Sequence, residues 1–74
     1  MVQVHVFGAL WPTVKREQEI DLSGRVVRVR ELIACLGIDP EEVGIVTIDG
    51  RQCRLEDVVP PACRLCIFPP LSGG

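Results

Sequence analysis

The sequence predicts one small α+β domain, with a single amphipathic helix packed on one face of a sheet of short strands. Three observations carry that prediction. Residues 2–7 and 64–68 place apolar side chains at every second position, the period of a half-buried strand. Val29, Leu32, Ile33 and Leu36 fall at i, i+3, i+4 and i+7, the stripe of an amphipathic helix. The chain has 74 residues, enough for one domain that buries roughly 60% of its unfolded surface and too few for a cleft between two.

The elements follow in order. In residues 2–7, Val2, Val4 and Val6 face a core while Gln3, His5 and Phe7 share the opposite face. Residues 8–16 form a turn and loop around Trp11-Pro12. Residues 17–22 return antiparallel to the first strand, Ile20 and Leu22 inward, until Ser23-Gly24 breaks them. The helix stops at Gly37, but Arg28 stands at its N-cap, where Ser, Thr, Asp or Asn is favoured. Asp39-Pro40-Glu41-Glu42 is a helix-start signature, with a capping Asp, Pro first and Glu third. Gly44 leaves it room for one turn. Residues 44–48 give a third strand, and Asp49-Gly50 is a hairpin dipeptide after which residues 51–54 pair back. Residues 55–61 are an irregular connection carrying Pro60-Pro61. In the last strand Leu65 and Ile67 face inward, and Cys66 and Phe68 outward.

One helix cannot cover both faces of a sheet. With the first and last strands as neighbours, the uncovered face carries His5, Phe7, Cys66 and Phe68, and two phenylalanines left in water indicate a docking patch. The alternative is that the Trp11 loop folds over and buries them.

The bulk numbers exclude several functions. A net charge of −2 lacks the basic footprint of a nucleic-acid binder. The apolar runs are too short to span a bilayer, and Gln3 and His5 interrupt the apolar start, so no membrane association, no signal peptide and a cytoplasmic location are expected. His5 is the only histidine and no phosphate-binding glycine loop occurs, so no catalytic residue, metal or bound cofactor of its own is expected. Asp39, Glu41 and Glu42 are read as capping residues, Glu56-Asp57 as solvent-facing, and Arg25, Arg28 and Arg30 as a solvated face.

Cys35, Cys53, Cys63 and Cys66 are read first as small buried hydrophobes. A Cys53–Cys63 or other disulfide and a structural zinc remain alternatives. Cys63 and Cys66 have C-x-x-C spacing, but residues three apart on a strand point to opposite faces.

The chain closes with Phe68-Pro69-Pro70-Leu71-Ser72-Gly73-Gly74. Phe68 before a proline is biased to an extended backbone, and Pro69-Pro70 continues it stiffly, without donors for a sheet. Leu71-Ser72-Gly73-Gly74 reads as a thin, flexible tail that can thread into a narrow active site, with an unhindered carboxyl at Gly74.

These residues carry a family resemblance. Val4-His5-Val6-Phe7-Gly8-Ala9-Leu10, the helix from Val29 through Gly37, the turn Ile48-Asp49-Gly50 and above all Cys66-Ile67-Phe68-Pro69-Pro70-Leu71-Ser72-Gly73-Gly74 resemble the MoaD/ThiS family of ubiquitin-like sulfur carriers. The resemblance implies a β-grasp fold with a mixed sheet over residues 1–68 and a tail over 69–74. It implies that a ubiquitin-activating-type adenylyltransferase uses ATP and magnesium to adenylate Gly74. Sulfur then replaces the adenylate as a thiocarboxylate, which an acceptor enzyme consumes, such as a molybdopterin-synthase large subunit. The diproline points to the molybdopterin branch more than to the thiamine branch. Phe7 and Phe68 match partner-contacting positions, while Gln52 stands at a third that is often apolar in relatives. Pro61-Ala62-Cys63 replaces the family's Gly-Asp, and Arg28 its Thr or Ser cap. A ubiquitin-like modifier, limited to Lys15 for branching, and a plain interaction domain are the competing functions.

Overall fold

The computed structural model describes residues 1–71. Ser72, Gly73 and Gly74, the end of the expected tail, lie outside the described residues. The elements run β1 (Val2–Val6), β2 (Glu17–Ile20), α1 (Val29–Cys35), a 3-10 turn (Pro40–Glu42), β3 (Ile45–Ile48), β4 (Arg51–Cys53) and β5 (Cys63–Phe68). The strands form one sheet in the order β2-β1-β5-β3-β4. The central pair β1 and β5 is parallel, and every other pairing is antiparallel. A mixed sheet grasping one helix is the β-grasp, ubiquitin-like arrangement.

The core lies between the helix and one sheet face. Val2, Val4 and Val6 of β1 and Leu65 and Ile67 of β5 pack with Val29, Leu32 and Ile33 of α1, each at most 3% exposed. The period-two and 3.6-residue patterns thus converge on one apolar layer. Trp11 joins this layer from the loop after β1. It does not fold over the phenylalanines, and its indole N–H is buried without an acceptor among the described residues.

The seven-residue helix is too short to persist alone, and its missing side-chain cap is replaced by the loop before β5. Val29 N–H donates to Asp57 O (2.9 Å) and Arg30 N–H to Leu55 O (2.9 Å). Glu31 Oε1 accepts from Arg28 N–H at 2.9 Å. These bonds satisfy donors that the first turn of any helix leaves free. Arg25, Arg28, Arg30, Glu56 and Asp57 are all exposed, as expected, but each also has a partner. Arg28 donates to Glu56 O at 2.6 Å and Arg30 pairs with the Glu56 carboxylate, so they do not form a merely solvated face. Arg25 Nε likewise reaches Leu22 O at 3.3 Å. Nor do Glu56 and Asp57 simply face solvent, since the Asp57 carboxylate accepts from Arg54 N–H at 2.9 Å.

β2 ends at Ile20, two residues earlier than its apolar pattern suggests. Asp21 Oδ1 takes the Ser23 N–H at 2.9 Å, an Asx turn that peels the chain from the sheet. Leu22 still turns inward and is 4% exposed. Asp39 Oδ1 accepts from Glu41 N–H at 2.9 Å, capping the single turn Pro40–Glu42. Asp49 and Gly50 both have positive φ, 51° and 84°, the signature of a type I′ hairpin turn. Asp49 is tied to β5 by Arg64 N–H, which donates to its Oδ1 at 2.9 Å.

Candidate functional site

The sheet face away from the helix is built from the outward positions of each strand. Register places Glu17, His5, Cys66, Thr47 and Gln52 in one line across it. The next line toward the chain's end holds Phe7, Phe68 and Ile45. Phe7 and Phe68 stack with ring centroids 4.8 Å apart and planes 7° from parallel. Phe7 and Ile45 remain 41% and 42% exposed, so the pair and its neighbour form an apolar ridge in solvent. His5 Nδ1 lies 3.3 Å from Glu17 Oε1 at the edge of the same face. Gln52, expected to be the polar outlier among partner positions, stands in the same row as His5 and Cys66.

The ridge continues into the root of the tail. Gly44, Ile45, Phe68, Pro69, Pro70 and Leu71 line a shallow apolar groove, and Leu71 is 92% exposed. Gly44 N–H donates to Phe68 O at 2.9 Å, the last tie between the chain's end and the sheet. Pro69 lacks the N–H that would continue the ladder, which is why β5 stops at Phe68. Sequence reasoning passed over Gly44 and Ile45 as ordinary strand residues. The available signal was that β3 must lie beside β5, which brings its first residues against the diproline.

The cysteines divide. Cys63 faces the core and donates its thiol to Pro60 O at 3.4 Å, while Cys66 lies on the open face, half-buried. The C-x-x-C pair therefore points to opposite sides of the sheet. Cys35 is exposed and Cys53 half-buried, and all four thiols are free, so neither the buried-hydrophobe reading of Cys35 nor a disulfide describes this structure. Burial raises the Cys53 thiol above the ordinary 9.0, helped by the nearby Asp57 and Cys63. Burial and then Asp49 raise Cys63. These thiols are poor nucleophiles at neutral pH.

Among the described residues no three His, Cys, Asp or Glu side chains are grouped to hold a metal ion. No helix among them is long and apolar enough to cross a membrane. What the face offers is shape: an apolar stacked ridge leading to the diproline at the root of the tail.

The comparisons agree with this geometry. The profile of the ThiS family matches residues 4–74, from the second core valine of β1 through the diproline to the last glycine. No curated protein matches the chain, and no solved structure does. With nearly its whole length matched, the chain belongs to the ThiS family of small ubiquitin-like sulfur carriers.

Proposed function

We propose that the chain carries sulfur as a thiocarboxylate on Gly74 and delivers it in the molybdopterin branch of the family, acting in the cytoplasm. The observation that carries this reading is the family match running through Gly74. Pro69-Pro70 supports the molybdopterin assignment.

The chemistry needs a partner because a carboxylate is a poor electrophile. The Gly74 carboxylate attacks the α-phosphorus of ATP on an adenylyltransferase, pyrophosphate leaves, and an acyl-adenylate remains. Magnesium offsets the phosphate charge in that partner's site. A sulfide equivalent then adds to the acyl carbon, AMP leaves, and the thiocarboxylate is formed. A persulfide donor would need two further electrons from a thiol to free the product. The chain supplies the terminus and the docking surface: Phe7 and Phe68 as the apolar anchor, His5 and Cys66 beside them, and Pro69, Pro70, Leu71, Ser72 and Gly73 as the lead to Gly74. An acceptor such as a molybdopterin-synthase large subunit reads the same face. In this reading all catalytic groups belong to the partners.

The test is pyrophosphate exchange with the adenylyltransferase from the same source. Exchange that needs Gly73-Gly74, followed by sulfur transfer to a molybdopterin precursor, supports the reading. Sulfur transfer to a thiazole precursor alone would overturn the branch. Adenylation ending in isopeptide conjugates would overturn sulfur carriage and favour the protein modifier.

A further inference from the structure

The diproline does not simply leave the sheet; it lies between two glycines from distant parts of the chain. Gly8 follows β1, and Gly44 precedes β3. A Cβ on Gly8 would stand 2.6 Å from Pro69 Cγ and 3.0 Å from Pro69 Cδ. A Cβ on Gly44 would stand 2.6 Å from both Pro69 O and Pro70 Cα. Contacts that short do not occur in folded proteins, so any other residue at either position forces the proline segment or its neighbour to move. The two sites differ in a useful way. Gly8 has φ +88° and its obstacle is the Pro69 ring, whereas Gly44 has no positive φ and its obstacle is backbone.

A proline pair has few internal rotations. Seating its start against two backbones therefore narrows the directions in which Leu71 can continue. Phe68 is held from below by the Gly44 N–H and beside by the Phe7 ring, so the ridge and the tail root are joined at Phe68. A partner that grips the ridge then receives the tail root at Pro69-Pro70 on a set course, and positioning of this kind lowers a barrier.

We propose that Gly8 and Gly44 form a seat for Pro69-Pro70 and are positioning residues for reaction at the chain's terminus. The proposal rests on the terminus being the reacting end. The seat itself can be tested without that chemistry.

The first test is the seat. In the full-length protein, nuclear Overhauser contacts between the Gly8 Hα protons and the Pro69 ring protons are expected, together with contacts from Gly44 Hα to Pro70 Hα. Their absence overturns the seat whether or not the protein carries sulfur. The second test is a double-mutant cycle on adenylation, using Gly8→Ala, Pro69→Ala and both together. Gly8→Ala should lower kcat about tenfold or more with KM little changed, as displacement of a reacting group does. In the Pro69→Ala background, where the obstructing ring atoms are gone, the same change should cost almost nothing. The backbone strain of Ala at Gly8 is common to both arms and cancels. Costs that multiply across the cycle, or a loss confined to KM, would overturn the positioning role. Gly44→Ala checks this without φ strain: a folded variant with lowered kcat and shifted Leu71 amide resonances is expected, and unchanged kcat would contradict the proposal. Gly37→Ala, in open space away from the tail, controls for lost stability. If the unaltered protein is not adenylated, the functional reading fails while the contacts still decide the seat.

Discussion

Phe7 and Phe68, sixty-one positions apart in the chain, stack at 4.8 Å on the open face of the sheet because β1 and β5 are parallel neighbours in register. Two aromatic rings in such contact gain about 0.5–1.5 kcal/mol beyond their buried area, yet Phe7 keeps 41% of its surface in water. The fold would be served as well by covering them. On the proposed function the ridge serves as an anchor for a partner, of the sort that dominates interface energetics.

Phe68→Ala should weaken binding to the adenylyltransferase by at least about tenfold, or 1.4 kcal/mol, while leaving the fold intact. Calorimetric titration checks this. An unchanged Kd would remove the ridge from the interface.

Ile33→Ala should be far more costly to folding. Ile33 is fully buried under the central strands, and such truncations cost about 2–5 kcal/mol. A domain of this size has only about 4–11 kcal/mol in total. Urea denaturation should show the loss, and a change under about 1 kcal/mol would mean the helix is not held by this core. By contrast Glu56→Ala should cost no more than about 1 kcal/mol, since its partner Arg30 is exposed and the helix start is capped by the carbonyls of Leu55 and Asp57.

Trp11→Phe should hold or raise stability. The indole N–H is buried without an acceptor among the described residues, and such a group carries a penalty of about 1–3 kcal/mol. Phenylalanine keeps much of the apolar contact and removes the donor. A melting temperature well below that of the parent protein would show that the N–H is bonded in solution.

Alkaline pH should destabilise the fold through Cys53 and Cys63. Both are raised in the folded protein, so the unfolded chain loses its thiol protons first. The stabilisation is complete below the ordinary value of 9.0 and is lost as pH rises through it toward the folded values. Denaturation midpoints should thus fall above that pH, and less steeply in Cys63→Ala. The exposed Cys35 should be alkylated long before the buried Cys63. Equal rates would contradict the burial.

Much of this was legible in sequence. The alternation of Val2, Val4, Val6 against Gln3, His5, Phe7 assigned each side chain to its face, because period two leaves no choice once one face is buried. The parallel pairing of β1 with β5 then brought the predicted docking residues together. What stayed hidden was carried by backbone groups. Besides the Glu31 carboxylate, the cap of α1 consists of the Leu55 and Asp57 carbonyls, which leave no mark in residue type. Gly8 and Gly44 matter through what would collide with a Cβ from Pro69 and Pro70, a relation between segments far apart in the chain. The contacts of Glu56 were hidden for the same reason: the loop before β5 had to be placed against the start of α1 before Arg28 could be seen to reach its carbonyl and Arg30 its carboxylate.

The most direct test of the central claim is the intact mass of the protein after incubation with its adenylyltransferase, ATP, magnesium and a sulfur source. Exchange of one oxygen for one sulfur, located at Gly74 and abolished when Gly73-Gly74 are deleted, is the predicted result. An unchanged mass with an enzyme shown to be active on the chain, or conjugates through Gly74 in place of the sulfur gain, would contradict it.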